Sequence, residues 1–199
     1  MRADLSFVGA LGTDCVTVLN TTTAAALRAL GFHFAVRYLG SISAAELQII
    51  LDAGLAFFPV TYADRFDGTQ AAEQCAALGI PAGVTVWLDL EGIGAALAPE
   101  SVITQANAWA QAVKNGGYMP GLYVGAGCKL TSQEVYALQH VRYWKGQSHL
   151  TDRNGNLVEP GCGWCMTQLY PHVGRAGVDV DIDVIGEDYR NRLPVWAVA

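Results

Sequence analysis

The residues best suited to chemistry are Asp89 and Glu91, at the end of the apolar run VTVWLDLE. Residues two apart in a β-strand project from the same face. An unpaired carboxylate is costly on a buried strand face, so a pair of them is tolerated mainly at a strand end that opens into a cleft. A carboxylate pair of this kind occurs by chance in many sequences, and it gains weight only from its surroundings.

Similar side chains recur at the ends of other apolar runs. The candidate substrate-binding residues are Asp14, Arg37, Tyr38, Tyr62, Tyr123, Trp144, Gln168, Asp181 and Asp183. Aromatic rings stack on sugar rings, while carboxylates and amides bind hydroxyl groups. We therefore predict a polysaccharide-binding cleft, although ordinary core packing would also account for the aromatic residues.

The last apolar run, VDVDIDVI, places Asp179, Asp181 and Asp183 on one face. We expect this face to point into the interior and mouth of a barrel. The alternatives are a solvated edge strand and a site for Mg²⁺ or Ca²⁺. Because the run lacks the glycine and distal glutamate of a calcium loop, we predict neither a metal nor another cofactor.

Short apolar runs alternate with helical patterns, which is typical of a parallel sheet. The predicted strands are Phe7–Cys15, His33–Leu39, Ala56–Tyr62, Val84–Leu90, Gly121–Gly125, Val141–Lys145, Trp164–Leu169 and Val178–Ile185. Eight strands favour closure into a barrel, and barrel active sites lie at the C-terminal ends of the strands.

Helix signals are clear only in the first part of the chain. Helices are predicted from Thr21 to Leu30, from Ser43 to Gly54, from Thr69 to Leu78, from Pro99 to Gly116 and from Thr131 to His140. Ser43 and Thr131 each begin a capping-box pattern, whereas Ser148–Gly163 has the turn signals of a loop. We therefore predict one α/β domain over residues 1–199: a TIM-like (β/α) barrel of eight mostly parallel strands, with the late helices shortened or missing.

Composition narrows the function classes. Apolar residues make up 52% of the chain and charged residues 15%, which indicates an ordinary folded protein. The net charge of −6 argues against nucleic acid and anionic membranes as partners. No apolar run is long enough to span a bilayer, and we expect no signal peptide at the N-terminus. The Cys162-x-x-Cys165 spacing allows a redox pair or half a zinc site, but we favour packed thiols.

Several segments together resemble a known family. They are GTDC at 12–15, FAVRY at 34–38, WLDLEG at 87–92, GYMPGLY at 117–123, QLY at 168–170 and VDID at 180–183. The chain resembles the glycoside-hydrolase-like domain of unknown function 1906, a relative of the glycoside hydrolase family 25 lysozymes. This resemblance implies a barrel, Glu91 as general acid with Asp89 as its partner, and Asp14 and Asp181 as further cleft acids. It also implies hydrolysis of the β-1,4 bond after N-acetylmuramic acid. One departure is Cys15, where the lysozymes tend to have a small residue, often serine.

The resulting hypothesis is a lysozyme-like muramidase acting on peptidoglycan. Glu91, partly buried, protonates the leaving oxygen, while Asp89 stays ionised and stabilises the transition state or orients the substrate's acetamido group. Tyr62, Tyr123 and Trp144 position the sugar. The alternatives are a metal-dependent hydrolase and a non-catalytic glycan-binding or structural module of a larger assembly such as a phage virion. We expect synthesis in the cytoplasm and action on the cell wall after release, or in a virion, with a virion or secretion-system partner.

Overall fold

A ring of strands surrounded by helices forms the centre of the computed structural model, which describes residues 1–64, 66–93, 96–140, 142–147 and 149–199. The strands are β1 (Arg2–Leu5), β2 (Leu11–Asp14), β3 (Phe34–Tyr38), β4 (Ala56–Tyr62), β5 (Thr85–Asp89), β6 (Met119–Val124), β7 (Arg142–Lys145), β8 (Met166–Arg175), β9 (Val178–Ile185) and β10 (Val195–Val198). The helices are α1 (Thr21–Ala29), α2 (Ala44–Asp52), α3 (Gly68–Ala77), α4 (Pro99–Asn115) and α5 (Ser132–Ala137). Val141 and Ser148, which begin a predicted strand and a predicted loop, lie outside the described residues.

The ring contains the strands β2 to β9, in sequence order around the barrel. From β2 to β8 each strand is parallel to the next. Strand β9 is antiparallel to both of its neighbours, β8 and β2, and closes the ring. The prediction of a closed barrel of eight mostly parallel strands is confirmed.

Strand β9 runs in reverse because only Ala176 and Gly177 join it to β8. Both residues have positive φ angles, 51° and 80°, as in a tight hairpin turn. A parallel neighbour would need a crossover of roughly a dozen residues. We predicted that the seventh strand ends at Leu169, but β8 continues beyond it. Since Asp14 at the end of β2 pairs with Asp181, the tip of this hairpin projects past the barrel rim.

Two short strands at the opposite end of the barrel were not predicted. Strand β10 pairs with β1 and contacts β4 through Ala197 and Phe57. The Trp196 ring lies 6.0 Å from the ring of Phe34 and closes this end of the interior. The predicted strand Phe7–Cys15 is wrong in its first half, because Gly9 has a φ of 85° that interrupts the extended backbone.

The two faces of the strands build two hydrophobic layers. The inward layer includes Phe34, Val36, Phe58, Val60, Trp87, Trp144, Met166 and Ile185. The outward layer packs against the helices, as in other barrels of this type. Polar side chains on inward faces are therefore placed either inside a closed apolar space or at its rim.

The helices follow the predicted pattern. Thr131 forms the full capping box with Glu134, but α5 ends at Ala137, short of the predicted end at His140. After α5 the described residues contain no further helix, which agrees with the prediction that the late helices are reduced. Within the described part of the chain, no helix is both long and apolar enough to cross a bilayer.

The five cysteines are buried free thiols. Burial raises the pKa of Cys165, next to β8, to about 12, and it also raises the pKa of Cys162. Thiolates are therefore disfavoured at both positions. This agrees with the interpretation of Cys162 and Cys165 as packed thiols.

Arg37 is not where we predicted it. Its side chain points outward from β3 and is 0% exposed, beneath helix α2. Its Nε donates to Oε1 of Glu46 at 2.8 Å, and its Nη1 donates to the carbonyl of Cys15. The same Glu46 oxygen accepts the backbone N–H of Leu19 at 2.9 Å. Arg37 therefore holds the segment after β2 in place and does not bind substrate, and Glu46 is not free to complete the capping box predicted at Ser43.

This buried ion pair should matter for stability. Arg37→Met leaves the Glu46 carboxylate buried without its cation, which typically costs about 3–5 kcal/mol. We expect a large fall in melting temperature, measured by thermal denaturation monitored by circular dichroism. The control is Asp4→Asn, which breaks the exposed pair of Arg2 and Asp4 and should cost less than about 1 kcal/mol. Equal effects of the two changes would contradict this account.

Candidate active site

Asp89 is the last residue of β5 and lies at the C-terminal rim of the barrel. Its strand neighbours in register are Tyr62 on β4 and Tyr123 on β6. Its Oδ2 accepts the hydroxyl of Tyr38 at 2.8 Å, and its Oδ1 accepts the backbone N–H of Glu91 at 2.7 Å. Asp89 is 3% exposed, so its carboxylate is held in one orientation inside the rim.

Glu91 lies beyond the rim and is exposed. The expectation that Glu91 is partly buried is therefore wrong. Asp89 is the buried member of the pair. The physical reason is that the chain leaves the strand between the two residues. The backbone of Gly92, with a φ of 68°, turns there and donates to the carbonyl of Ala126 at 2.7 Å.

The pKa of Asp89 is raised from 3.8 to about 6. Burial is the largest cause. The hydrogen bonds from the Glu91 N–H and the Tyr38 hydroxyl lower the pKa, while the nearby Glu91 carboxylate raises it. Asp89 is therefore mainly ionised at neutral pH and takes up a proton in weakly acidic solution.

Two further acids are buried on the paired strands β2 and β9. Asp183 is 0% exposed, and its Oδ1 accepts the indole N–H of Trp144 at 3.0 Å. Asp14 on the neighbouring strand β2 is also buried. The Oδ2 of Asp183 and the Oδ1 of Asp14 have no hydrogen-bond partner among the described residues. Burial, followed by the charges of neighbouring carboxylates, raises the pKa of both groups well above the usual range, which favours their protonated forms.

Asp181 completes the acidic group at the rim. Its Oδ2 accepts the amide of Gln168 at 2.7 Å, and its Oδ1 accepts the backbone N–H of His172 at 2.7 Å. Gln168 in turn accepts the hydroxyl of Tyr123 at 3.4 Å. These bonds connect the β8–β9 hairpin to the centre of the site.

Aromatic rings border this acidic centre on two sides. The rings of Tyr38 and Tyr62 are stacked, with centroids 3.9 Å apart and planes 13° apart. Tyr123 and Trp144 meet edge to face at 4.4 Å. The arrangement of fixed carboxylates, an exposed carboxylate and aromatic rings at an open rim suits acid–base chemistry on a sugar.

Residues 25–177 match the family model described as Rv2525c-like, glycoside hydrolase-like domain. The chain belongs to this family. The resemblance stated from the sequence is thereby confirmed. Among curated protein sequences, none matches the chain.

The glycoside hydrolase-like domain has the fold of lysozymes. A bacterial lysozyme from Streptomyces coelicolor is 16% identical, with a TM-score of 0.60, and the match covers 91% of this chain and 94% of the lysozyme. A muramidase from Trichobolus zukalii is 14% identical, with a TM-score of 0.65, covering 89% and 93% of the two chains. At such low identity the similarity establishes the shared barrel alone.

Within this glycoside hydrolase-like domain, three predicted substrate-binding residues are out of reach of a ligand in the cleft. Arg37 faces α2, as described above. Trp144 is 1% exposed, and Asp183 is fully buried and bonded to it. Trp144 and Asp183 lie in the closed interior, so neither contacts a sugar bound in the cleft. The predictions that Arg37, Trp144 and Asp183 bind substrate are therefore wrong. The remaining predicted residues surround Asp89 and Glu91; they are Asp14, Tyr38, Tyr62, Tyr123, Gln168 and Asp181.

The acid-rich strand β9 is not a solvated edge, because it pairs on both sides. Asp183 and Asp181 point to the interior and the rim, as predicted, whereas Asp179 lies on the projecting hairpin and is exposed. Within the described residues, no three His, Cys, Asp or Glu side chains are arranged to hold a metal ion.

Sequence reasoning missed two features of the site. One is Gly125, after β6, where a Cβ would lie 2.7 Å from the Tyr123 ring and 2.8 Å from the Glu91 Cβ. The other is a side cavity of about 550 Å³ that borders the Tyr38–Tyr62 stack and includes Gln70 of helix α3. Glycines clustered just after a strand were a usable signal for the first feature, whereas a cavity between two elements has no local signature.

Asp89→Asn should stabilise the fold at neutral and alkaline pH. A carboxyl group whose folded-state pKa lies above its unfolded value is destabilising once ionised, so the cost is present above about pH 6 and absent below about pH 4. Asparagine removes this cost and still accepts the Glu91 N–H. We expect a gain of about 1–3 kcal/mol at pH 8, measured by denaturant unfolding.

The gain should nearly disappear at pH 3.5, where the aspartate is protonated in the folded state and mostly protonated in the unfolded state. The control is Asp179→Asn on the exposed hairpin, which should change stability by less than about 0.5 kcal/mol at either pH. A stability difference for Asp89→Asn that does not depend on pH would argue against the buried-charge explanation.

Gly125→Ala should disturb the site directly. The added Cβ meets the Glu91 and Tyr123 side chains at distances that real contacts do not allow, so both must shift, at a cost of about 1–3 kcal/mol. The measurement is thermal unfolding together with a crystal structure of the variant. Gly174→Ala is the control, because nothing lies within 4 Å of its Cβ position. An unchanged melting temperature and an unmoved Glu91 would refute the prediction.

Proposed function

We propose that this domain is a lysozyme-like glycosidase that cleaves the β-1,4 glycan of peptidoglycan. The observation that carries the proposal is the asymmetric pair at the rim: Asp89 is buried and fixed by two hydrogen bonds, whereas Glu91 is exposed in the cleft. Glycosidic-bond hydrolysis uses two carboxyl groups beside the scissile bond, one as the proton donor and the other as its partner. The shared barrel of the lysozyme and the muramidase supports the same function.

In this mechanism Glu91 is the general acid. Its exposed carboxyl group donates a proton to the leaving oxygen as the glycosidic bond breaks, and a water molecule later adds to the sugar and returns the proton. Among the described residues, Asp89 is bonded to the backbone N–H of Glu91 and not to its side chain. Glu91 is thus free to follow the leaving group.

Asp89 has the supporting role. Both of its oxygens already accept a hydrogen bond, from Tyr38 and from the Glu91 backbone, which suits electrostatic stabilisation better than nucleophilic attack. The ionised carboxylate stabilises the oxocarbenium-like transition state or orients the substrate's acetamido group as an internal nucleophile. Tyr38 is a positioning residue, because it acts on the reaction through Asp89.

Asp14 and Asp181 have different tasks in this proposal. Burial and the neighbouring carboxylates raise the pKa of Asp14 and favour its protonated form, so this acid does not add a second negative charge close to Asp89. Asp181 is held by Gln168 and by the His172 backbone, so it offers a fixed acceptor for a sugar hydroxyl.

We further propose that the protein meets peptidoglycan after release from the cell or as part of a virion.

Glu91→Gln tests the proposal. The amide keeps the size of the side chain but has no proton to donate, so we expect turnover of purified peptidoglycan to fall by at least about 100-fold. Because Glu91 is exposed, the melting temperature should not change. Soluble products are identified by mass spectrometry, and new reducing ends are counted.

The control for this experiment is Glu187→Gln, which removes an exposed carboxylate after β9, at the opposite end of the barrel, and should leave turnover unchanged. Near-normal lysis by Glu91→Gln would end the catalytic assignment. Binding of wall fragments by the unaltered protein without any released reducing ends would assign the cleft to a glycan-binding module instead.

A further inference from the structure

The end of the barrel opposite to Asp89 and Glu91 contains another cavity. It lies where the chain enters β3 and β4, next to β1 and β10, and we call it the basal cavity. Its volume is about 320 Å³, at the lower end of the range of cavities that bind small ligands. Its lining residues include Arg2, Phe7, Arg28, His33, Leu55 and Trp196. None of these six belongs to the candidate active site, and none was predicted from the sequence to bind a ligand.

The basal cavity is lined by cationic side chains without matching acids. Its described lining contains two arginines and a histidine but no Asp or Glu. Arg2 already pairs with Asp4, with its Nη2 at 3.2 Å from Oδ2. Arg28 forms no ion pair with any of the described residues, so its charge is not neutralised there. This charge acts on the neighbouring wall, because it lowers the pKa of His33, after burial as the larger cause.

Arg28 has one unused edge of its guanidinium group. Its Nη1 donates to the carbonyl of Phe32 at 3.1 Å, whereas Nε and Nη2 donate to none of the described residues. These two N–H groups point the same way in one plane, which is the geometry that a carboxylate accepts with both oxygens. At Gly54 a Cβ would lie 3.6 Å from Nε, so the glycine leaves that side of the group uncovered.

Two helices, α1 and α2, end beside the basal cavity, and the C-terminus of a helix by itself disfavours an anion. Here the chain turns back on both ends. The N–H groups of Gly31 and Phe32 donate to carbonyls in the last turn of α1, and those of Gly54 and Leu55 donate to carbonyls of α2. Because these carbonyls are already bonded, the unused hydrogen-bonding groups of the side-chain lining are the donors of Arg28.

The rest of the lining is apolar. The Phe7 ring meets the His33 ring edge to face at 5.0 Å and the Trp196 ring at 5.6 Å. Phe7 is 48% exposed, so a ligand can still cover much of its ring. The aliphatic lining residues are Leu51, Leu55, Ala56 and Val198. An organic ligand gains free energy by covering this apolar surface, whereas an inorganic ion leaves it in water.

We propose that the basal cavity binds a small organic carboxylate with an aromatic or aliphatic body. The Nε–H and Nη2–H groups of Arg28 donate to the two carboxylate oxygens, and the body lies against Phe7 and Leu55. This site is separate from the glycan cleft, because packed side chains fill the barrel interior between the two ends. Its failure would therefore leave the proposed glycosidase function untouched.

The test compares a carboxylate with a neutral molecule of the same shape. The two probes are 2-naphthoate and 2-naphthylmethanol, each titrated by calorimetry into the unaltered protein and into Arg28→Gln. We expect saturable binding of 2-naphthoate and at least about 10-fold weaker binding of the alcohol, which cannot accept the charge-assisted pair of hydrogen bonds. Arg28→Gln should raise the Kd of 2-naphthoate by about the same factor, and circular dichroism verifies that the variant is folded.

Two further variants serve as controls. Arg175→Gln is the matched change, because Arg175 is also exposed and its Nη1 also donates to a backbone carbonyl, at 2.8 Å. It lies on the β8–β9 hairpin at the other end of the barrel and should leave the Kd unchanged. Arg28→Lys keeps the positive charge but lacks the planar pair of donors, so the Kd should rise in this variant as well.

Every result supports or overturns the proposal. It is overturned by the absence of saturable 2-naphthoate binding, by equal binding of the alcohol, or by an unchanged Kd in Arg28→Gln. Displacement of 2-naphthoate by oligomers of N-acetylglucosamine would place the probe in the glycan cleft and overturn it too. Inorganic phosphate that binds as tightly as 2-naphthoate would show that the apolar body contributes nothing. A short peptide ending in phenylalanine that binds at least about 10-fold more tightly than 2-naphthoate would assign the basal cavity to a protein chain end instead.

Discussion

Closure of eight strands into a ring is the constraint on which the rest of this structure depends. It gives every strand an inward face that looks into one narrow, water-poor space, filled at its lower end by aromatic and aliphatic side chains. A polar inward residue must then be paired, be neutral, or lie at the rim. Asp183 accepts a hydrogen bond from Trp144, and Asp14 has a raised pKa that favours its protonated form. Asp89 lies at the rim, where Tyr38 donates to it.

The same closure explains why the site is electrostatically costly. Several carboxyl groups are brought together where water is scarce, and burial raises the pKa of three of them. Outside the ring, Arg37 and Glu46 form a buried ion pair that anchors the segment after β2, and so steadies the strand that carries Asp14. Reactive geometry at the rim thus depends on rigid contacts beneath the helices.

Close backbone approach is the second requirement of the site. Gly125 lets the Glu91 and Tyr123 side chains pack against the end of β6, and Gly146 leaves room for the Tyr123 ring. The hairpin of β8 and β9 then brings Gln168 and Asp181 to the same rim. Its reversed strand, which departs from a regular (β/α) barrel, thus carries one of the acids of the site. The structure therefore assembles its acids from β2, β5 and β9, which meet only after the ring has closed.

The sequence by itself determined the period of each element, and with it the barrel, the helices up to α5 and the position of Asp89 and Glu91 at a strand end. Alternation and capping are local, so they can be read from neighbouring residues. Only the tertiary structure decided which face of β3 Arg37 would take, that Trp144 and Asp183 would be buried together, and that β1 and β10 would close the base. The same is true of the unequal burial of Asp89 and Glu91. These outcomes depend on partners far away in the chain, and the burial of a charged or aromatic side chain is fixed only when those partners meet.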